Sequence, residues 1–312
     1  MKVLLGRSDV DPDEPDNFGQ TPPWCAARCG HEEVVKMLLG RDDVNPNRLD
    51  NRGTTPLWCA ASGGHEGVMK VLLGRSDVNP QSHGQYPLTA LSCAACKGHE
   101  GVVKILLEQG HANPDEPGAA TNGHQGVVEI LLGRDDVNPD RPDWSGRTPL
   151  SRAAENGHEG ALEMLLARGE VNPDTPDHNC QTPIHWAAQD GHEGVVKILL
   201  GRDCVNPNNP DKGGYTPLWY AAWGGHQGVV EILLGRCDIN PDRPDRSSNT
   251  PLSCAAQNGH EGVVKMLLRR NDVNPNQPDN SGRTPLWWAT EYTHAHVTAL
   301  LQSPECTTPS TT

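Results

Sequence analysis

Histidine and cysteine are the side chains in this sequence whose types and spacing could do chemistry, with 14 of the first and 10 of the second. Eight Gly-His pairs recur in register, beginning at residues 30, 64, 98, 123, 157, 191, 225 and 259, and His294 fills a ninth register. Such a row raises the question of a metal. Zinc ligands must lie within about 2.1 Å of one ion. Histidines in successive copies of one helical unit stand about 8–10 Å apart. A histidine bonded to backbone near a turn fits the spacing better, and no metal is implied. Cys25, Cys59 and Cys93 share the same interval, beyond the roughly 7 Å Cα limit of a disulfide. Free thiols in a reducing cytoplasm or nucleus are expected.

A second candidate is Asp136-x-Asn138-x-Asp140, which has the alternating oxygens of a calcium loop. Arg141 stands where that loop needs glycine, and the closing bidentate glutamate is missing. Equivalent positions hold Cys204, Asn206 and Asn208, or Asp77, Asn79 and Gln81, so turn formation explains the string better. No GxSxG, HExxH, Gly-rich phosphate loop or kinase signature occurs. The residues supply no motif for an enzyme and call for no cofactor.

The elements that place these residues repeat. The intervals between these eight pairs are 34, 34, 25, 34, 34, 34 and 34 residues, a period of repeat arrays. An array also explains how 312 residues can fold without one oversized core. The 33 glycines and 27 prolines recur at fixed places and punctuate folded units. In TPLSRAAENG, Thr148 can cap a helix, Pro149 can occupy its first position and Gly157 can end it. Leu150, Ala153 and Ala154 share one face of that helix. A second helix is expected in HEGVVKILLGR, with Val195, Val196, Leu199 and Leu200 as its apolar stripe. DVNPDxPDxxG between units reads as turn or finger.

TPLxxAAxxGHxxVVxxLL followed by DVN resembles the signature of the ankyrin repeat family across nearly the whole chain. The resemblance implies an all-α solenoid of stacked helix–loop–helix units with hairpin fingers, binding partners through a concave face and finger tips. The finger here is two residues longer than usual and the link from LL to DVN one shorter. The repeats also resemble the C-terminal arrays of fungal NLR-type receptors. On that alternative the chain is the sensor or regulatory part of a larger signalling protein or enzyme.

The expected division is a partial repeat over 1–10, repeats over 11–112, a truncated repeat over 113–135, repeats over 136–302 and a polar tail over 303–312. MKVLLGRSDV opens the chain and returns at Met69–Val78, so the first ten residues read as the end of a second helix without its mate. The 25-residue interval lacks a finger and a TPL segment, and a local defect is expected over Pro114–Gly123. Gln81–Leu91 also departs from the pattern, with Ala90 in place of the helix-starting proline. In the last unit, Thr298 and Gln302 make a polar version of the second helix.

The positions that vary while the scaffold repeats are candidates for recognition. At the finger tips these are Phe18, Arg52, Trp144, His178, Tyr215 and Arg246. On the first helices they are Arg28, Cys96, Lys97, Glu155, Asn156, Gln189, Asp190, Trp223, Gln257 and Tyr292. Aromatic and arginine side chains are the usual anchors of protein interfaces. Trp24, Trp58, Trp219 and Trp287 are expected to pack or hydrogen-bond between first helices. The net charge of −14 disfavours nucleic acid and favours a partner with a basic surface. No stretch approaches a membrane span, and no secretory leader is read after Lys2. A monomeric protein of the cytoplasm or nucleus, binding another protein, is the resulting expectation.

Overall fold

Most repeats begin with a Thr-Pro step that starts a short helix. The Thr148 hydroxyl accepts from Ser151 N at 3.2 Å, and Pro149 takes the first position of Pro149–Glu155, where its missing N–H loses no bond. Thr21, Thr55, Thr216, Thr250 and Thr284 cap their helices in the same way. Thr89 caps Ala90–Cys96 without the proline. The computed structural model from which these contacts come describes residues 11–81, 89–108 and 120–303. Among them the secondary structure is helical, with no strand.

The first helix ends at a glycine with positive φ. Gly191, at +78°, lets the chain turn into Glu193–Leu200, and a Cβ there would lie 2.6 Å from Nδ1 of His226. Val195, Val196 and Leu199 of that second helix are fully buried, as are the paired alanines Ala187 and Ala188 of the first. Small residues let neighbouring first helices approach closely. Helices of seven or eight residues are marginal alone in water, so stacking holds them, each buried Leu or Val contributing about 1.5–3 kcal/mol.

The chain divides into two units, Met1–Arg141 and Pro142–Thr312. In the first unit, Pro22–Arg28 packs on Pro56–Gly63 and that on Ala90–Cys96, with Glu32–Leu39, Glu66–Leu73, Glu100–Glu108 and Gln125–Leu132 as the second layer. In the second unit the first helices are Pro149–Glu155, Pro183–Asp190, Pro217–Gly224, Pro251–Gln257 and Pro285–Glu291. Their mates are Glu159–Leu166, Glu193–Leu200, Gln227–Leu234, Glu261–Leu268 and Ala295–Leu301. Behind the second helices, arginines stitch one repeat to the next. Arg75 donates to the Leu39 carbonyl at 2.9 Å and pairs with Asp77 at 2.6 Å, and Arg270 does the same with Leu234 and Asp272.

At the shortened repeat, a single 3₁₀ turn, Ala120–Asn122, stands against Ala90–Cys96. Asn122 Nδ2 and His124 Nε2 both donate to the Cys96 carbonyl, at 2.8 and 2.9 Å. The link to the preceding repeat therefore survives the shortening. The half-repeat expected over 1–10, most of the altered segment 81–91, the start of the expected defect and nearly all of the polar tail lie outside the described residues. In the last helix, Thr298 is half-buried and Gln302 exposed, where Val196 in an earlier repeat is fully buried.

Candidate binding face

The fingers are built from aspartates turned inward. Asp245 Oδ1 accepts from Ser247 N and Asn249 N, both at 2.8 Å, while Asp245 N donates to the Asn249 carbonyl at 3.0 Å. Asp16, Asp50, Asp143, Asp177, Asp211 and Asp279 close their fingers likewise. Burial pulls the Asp279 carboxyl upward, but the Arg283 and Ser281 backbone N–H groups and the Arg283 guanidinium outweigh it and hold it below the ordinary range. Adjacent fingers are tied by one backbone bond each: His178 N to Ser145 O (3.2 Å), Lys212 N to Asn179 O (2.9 Å) and Arg246 N to Gly213 O (3.0 Å) in the second unit. In the first, Asn51 N donates to Phe18 O at 2.9 Å.

The histidine row has a structural task. Nε2 donates to a first-helix carbonyl one repeat upstream: His65 to Arg28, His99 to Ser62, His192 to Glu155, His260 to Trp223 and His294 to Gln257, over 2.9–3.2 Å. Among the described residues no three His, Cys, Asp or Glu side chains gather as metal ligands. The Asx turn of the acidic string is present, Asp140 N donating to Asn138 Oδ1 at 3.0 Å. The described cysteines are free thiols, with Cys59, Cys93 and Cys254 buried.

With the backbone committed, several variable side chains stand clear. Trp144 is 87% exposed and Phe18 68%; Trp223 and Tyr292 are about half exposed, at 50% and 49%. Arg28, Arg52, His178, Asp190 and Arg246 are exposed, while Gln189 and Gln257 are half-buried. Others are engaged. Lys97 Nζ donates to Ser62 Oγ at 2.7 Å and to its carbonyl at 3.1 Å. Glu155 pairs with Arg147 at 2.7 Å and Arg152 at 3.0 Å. Asn156 Nδ2 donates to Arg152 O at 3.0 Å and ends its own helix.

Tyr215 is not a tip residue. Its N–H reaches Asp211 Oδ1 at 2.9 Å, four residues along the finger, and its ring packs 4.1 Å from Trp219. Trp144 directly follows its finger aspartate, so the two aromatics occupy different registers. Trp24 is buried and donates through Nε1 to Thr54 Oγ1 at 3.0 Å, the bridge between first helices that the sequence suggests. Trp287 is 41% exposed instead, edge-on to Trp288. Sequence reasoning misses Arg147 and Trp186. The guanidinium lies 3.6 Å from the Trp186 ring centroid, a contact between repeats that no local pattern announces.

Phe18, Arg28 and Arg52 come together. With Gln20, Trp24, Trp58, Cys59, Ser62, Asp50 and Thr54 they line a groove of about 520 Å³ in the first unit.

A repeating Thr-Pro helix, a positive-φ Gly-His turn, a second helix and an aspartate-closed finger define a helical repeat scaffold. The family model described as ankyrin repeats (3 copies) matches residues 1–83, 118–177, 169–245 and 237–310, and the single ankyrin-repeat model matches 88–118. The chain belongs to the ankyrin repeat family. Ankyrin repeats are in general modules of protein–protein interaction. No curated relative matches the chain. Among the described residues, no helix is long and apolar enough to cross a membrane.

Proposed function

We infer that this chain is a non-enzymatic scaffold that holds a partner protein along the face made by its first helices and fingers. One observation carries the reading: on that face the backbone and the aspartates are bonded internally, while Trp144, Trp223 and Arg246 project unsatisfied by the fold. Large rings held in water are anchors in search of a surface. Because the fingers are already closed, little conformational freedom remains to be lost on binding. The net charge of −14 supports long-range attraction of partners with a basic surface and opposes nucleic acid. A monomer in the cytoplasm or nucleus fits the free thiols.

The test is affinity capture with the intact chain, followed by titration of the recovered partner. Replacing Trp144 and Trp223 together with Ala should weaken binding by about tenfold or more while the helical circular dichroism stays unchanged. Undiminished affinity removes this face from the reading.

A further inference from the structure

The groove in the first unit treats its arginines unlike the first-helix face of the second unit. There, Arg147 pairs with Glu155 at 2.7 Å, Arg152 with Asp143 and with Glu155, and Arg283 with Asp279 at 2.7 Å. In the first unit, Arg28 and Arg52 have no ion-pair partner among the described residues, and both are exposed. The one carboxylate among the lining residues is Asp50, against two guanidinium groups. Its Oδ1 accepts from Thr54 N at 2.7 Å and Arg52 N at 3.1 Å, inside the finger. Cys59 adds no charge, since burial pushes its thiol up to about 12 despite the Thr54 hydroxyl nearby.

The groove that both arginines line also carries apolar surface. Trp24 forms the floor, only 5% exposed, its one N–H already used on Thr54. Trp58 is half-buried beside it, and Phe18 stands on the rim, 68% exposed. The Arg28 guanidinium lies 5.5 Å from the Trp24 ring centroid, so it stays close to whatever covers that ring. An unpaired guanidinium prefers a planar anion that accepts two parallel bonds. The apolar floor prefers a ring or a long aliphatic chain.

We propose that this groove receives an extended acidic segment of a partner protein, in which one aromatic or large aliphatic side chain is flanked by carboxylates. The apolar side chain lies against Trp24, Trp58 and Phe18, and the carboxylates meet Arg28 and Arg52. The proposal rests on the reading of this face as a partner-binding surface and names the chemistry of one part of it. It is compatible with the acidity of the chain as a whole. Charges in water act over about 8 Å at physiological salt, so the two arginines set the local preference. A nucleic-acid strand would run beyond them onto a chain with 40 acidic residues against 26 basic ones, which favours a short peptide over a polyanion.

The experiment titrates the full chain with short fluorescein-labelled peptides on a Gly/Ser background. One carries a central Phe flanked by Glu; in the others the flanks are Lys or Ser, or the Phe is Ser. The Glu–Phe peptide should bind about tenfold more tightly than any of the others at low salt, and weaken as salt rises. Arg28→Glu with Arg52→Glu should invert the preference toward the Lys peptide. Arg28→Lys with Arg52→Lys should retain the sign and lose part of the affinity. Both pairs sit on the surface, and circular dichroism verifies the fold. Equal binding of Glu and Lys peptides, no binding of any, indifference to the charge reversal, or displacement by a single-stranded oligonucleotide but not by unlabelled Glu–Phe peptide overturns the proposal. A captured partner lost with Trp144→Ala and Trp223→Ala but untouched by the arginine reversal overturns the groove alone. A partner that survives both sets of changes overturns the reading of the whole face.

Discussion

His226 Nε2 lies 2.8 Å from the backbone carbonyl oxygen of Gln189, in the repeat before it. The ring also covers Gly191, whose φ of +78° leaves no room for a Cβ beside Nδ1. Gly and His therefore act as a pair across the repeat boundary, the glycine of one unit making space for the histidine of the next. His226→Ala should destabilise the array by about 1–2 kcal/mol, by exposing or orphaning a helix-end carbonyl. Gly191→Ala should cost more, because backbone strain and a clash coincide. Urea unfolding, analysed without assuming a two-state transition, checks both. A Gly191→Ala protein as stable as the parent would refute the pairing.

Thr293 occupies the glycine position of the last Gly-His step with φ of 59°, and Cys180 a finger glycine position with φ of 63°. Both are left-handed conformations that side chains with a Cβ adopt at a cost, most of all β-branched threonine. Thr293→Gly should raise stability by about 1 kcal/mol, and Cys180→Gly by somewhat less. A rise in melting temperature over the parent is the measurement, and a fall contradicts it.

His185 links stability to pH. Its Nδ1 accepts from Thr182 N at 3.1 Å and from the Thr182 hydroxyl at 2.9 Å, and its Nε2–H donates to the Asn209 carbonyl at 3.0 Å. A proton on Nδ1 would remove the acceptor of the Thr182 N–H. Burial, opposed by the charge of Asp211, lowers the imidazole from 6.5 to about 4. Since the folded value lies below the unfolded one, this contribution is complete above pH 6.5 and drains away as pH falls toward 4. About 3 kcal/mol is at stake over that window. The parent should lose more stability between pH 7 and 4.5 than His185→Gln does, read by thermal melts. Parallel losses would assign the acid sensitivity elsewhere.

Tyr215 and Trp144 should separate stability from recognition. The Tyr215 ring packs on Trp219 at 4.1 Å and edge-on to Tyr220 at 5.7 Å, so Tyr215→Ala should cost about 1–2 kcal/mol. Trp144→Ala, at 87% exposure, should shift stability by less than about 0.5 kcal/mol. Equal destabilisation by the two would contradict the registers assigned to them.

These cases show what the sequence makes legible. Thr148, Pro149 and the pair Ala153–Ala154 act through local backbone geometry and through period, and both are written along the chain. The histidine row is readable for the same reason, because a ladder of equal steps admits no common metal ion. The fate of Tyr215, Glu155 and Lys97 depends on which side chains the folded backbone brings to them, and no period in the chain records that. Glu155 is captured within its own repeat by Arg147 and Arg152, whereas Lys97 is captured by Ser62, whose proximity the stack creates. Arg28 and Arg52 are the converse: nothing in their own segments tells that, among the described residues, no carboxylate pairs with them.

The aspartate inside each finger has a consequence for how such a chain can change. Asp245 secures the loop with its own carboxylate, so the neighbouring side chain, Arg246, contributes only its backbone to the structure. Inheritance of the fold and invention of new contacts are thereby assigned to different atoms. A lineage can exchange what stands at the tip, one codon at a time, with the loop beneath it insulated from the experiment.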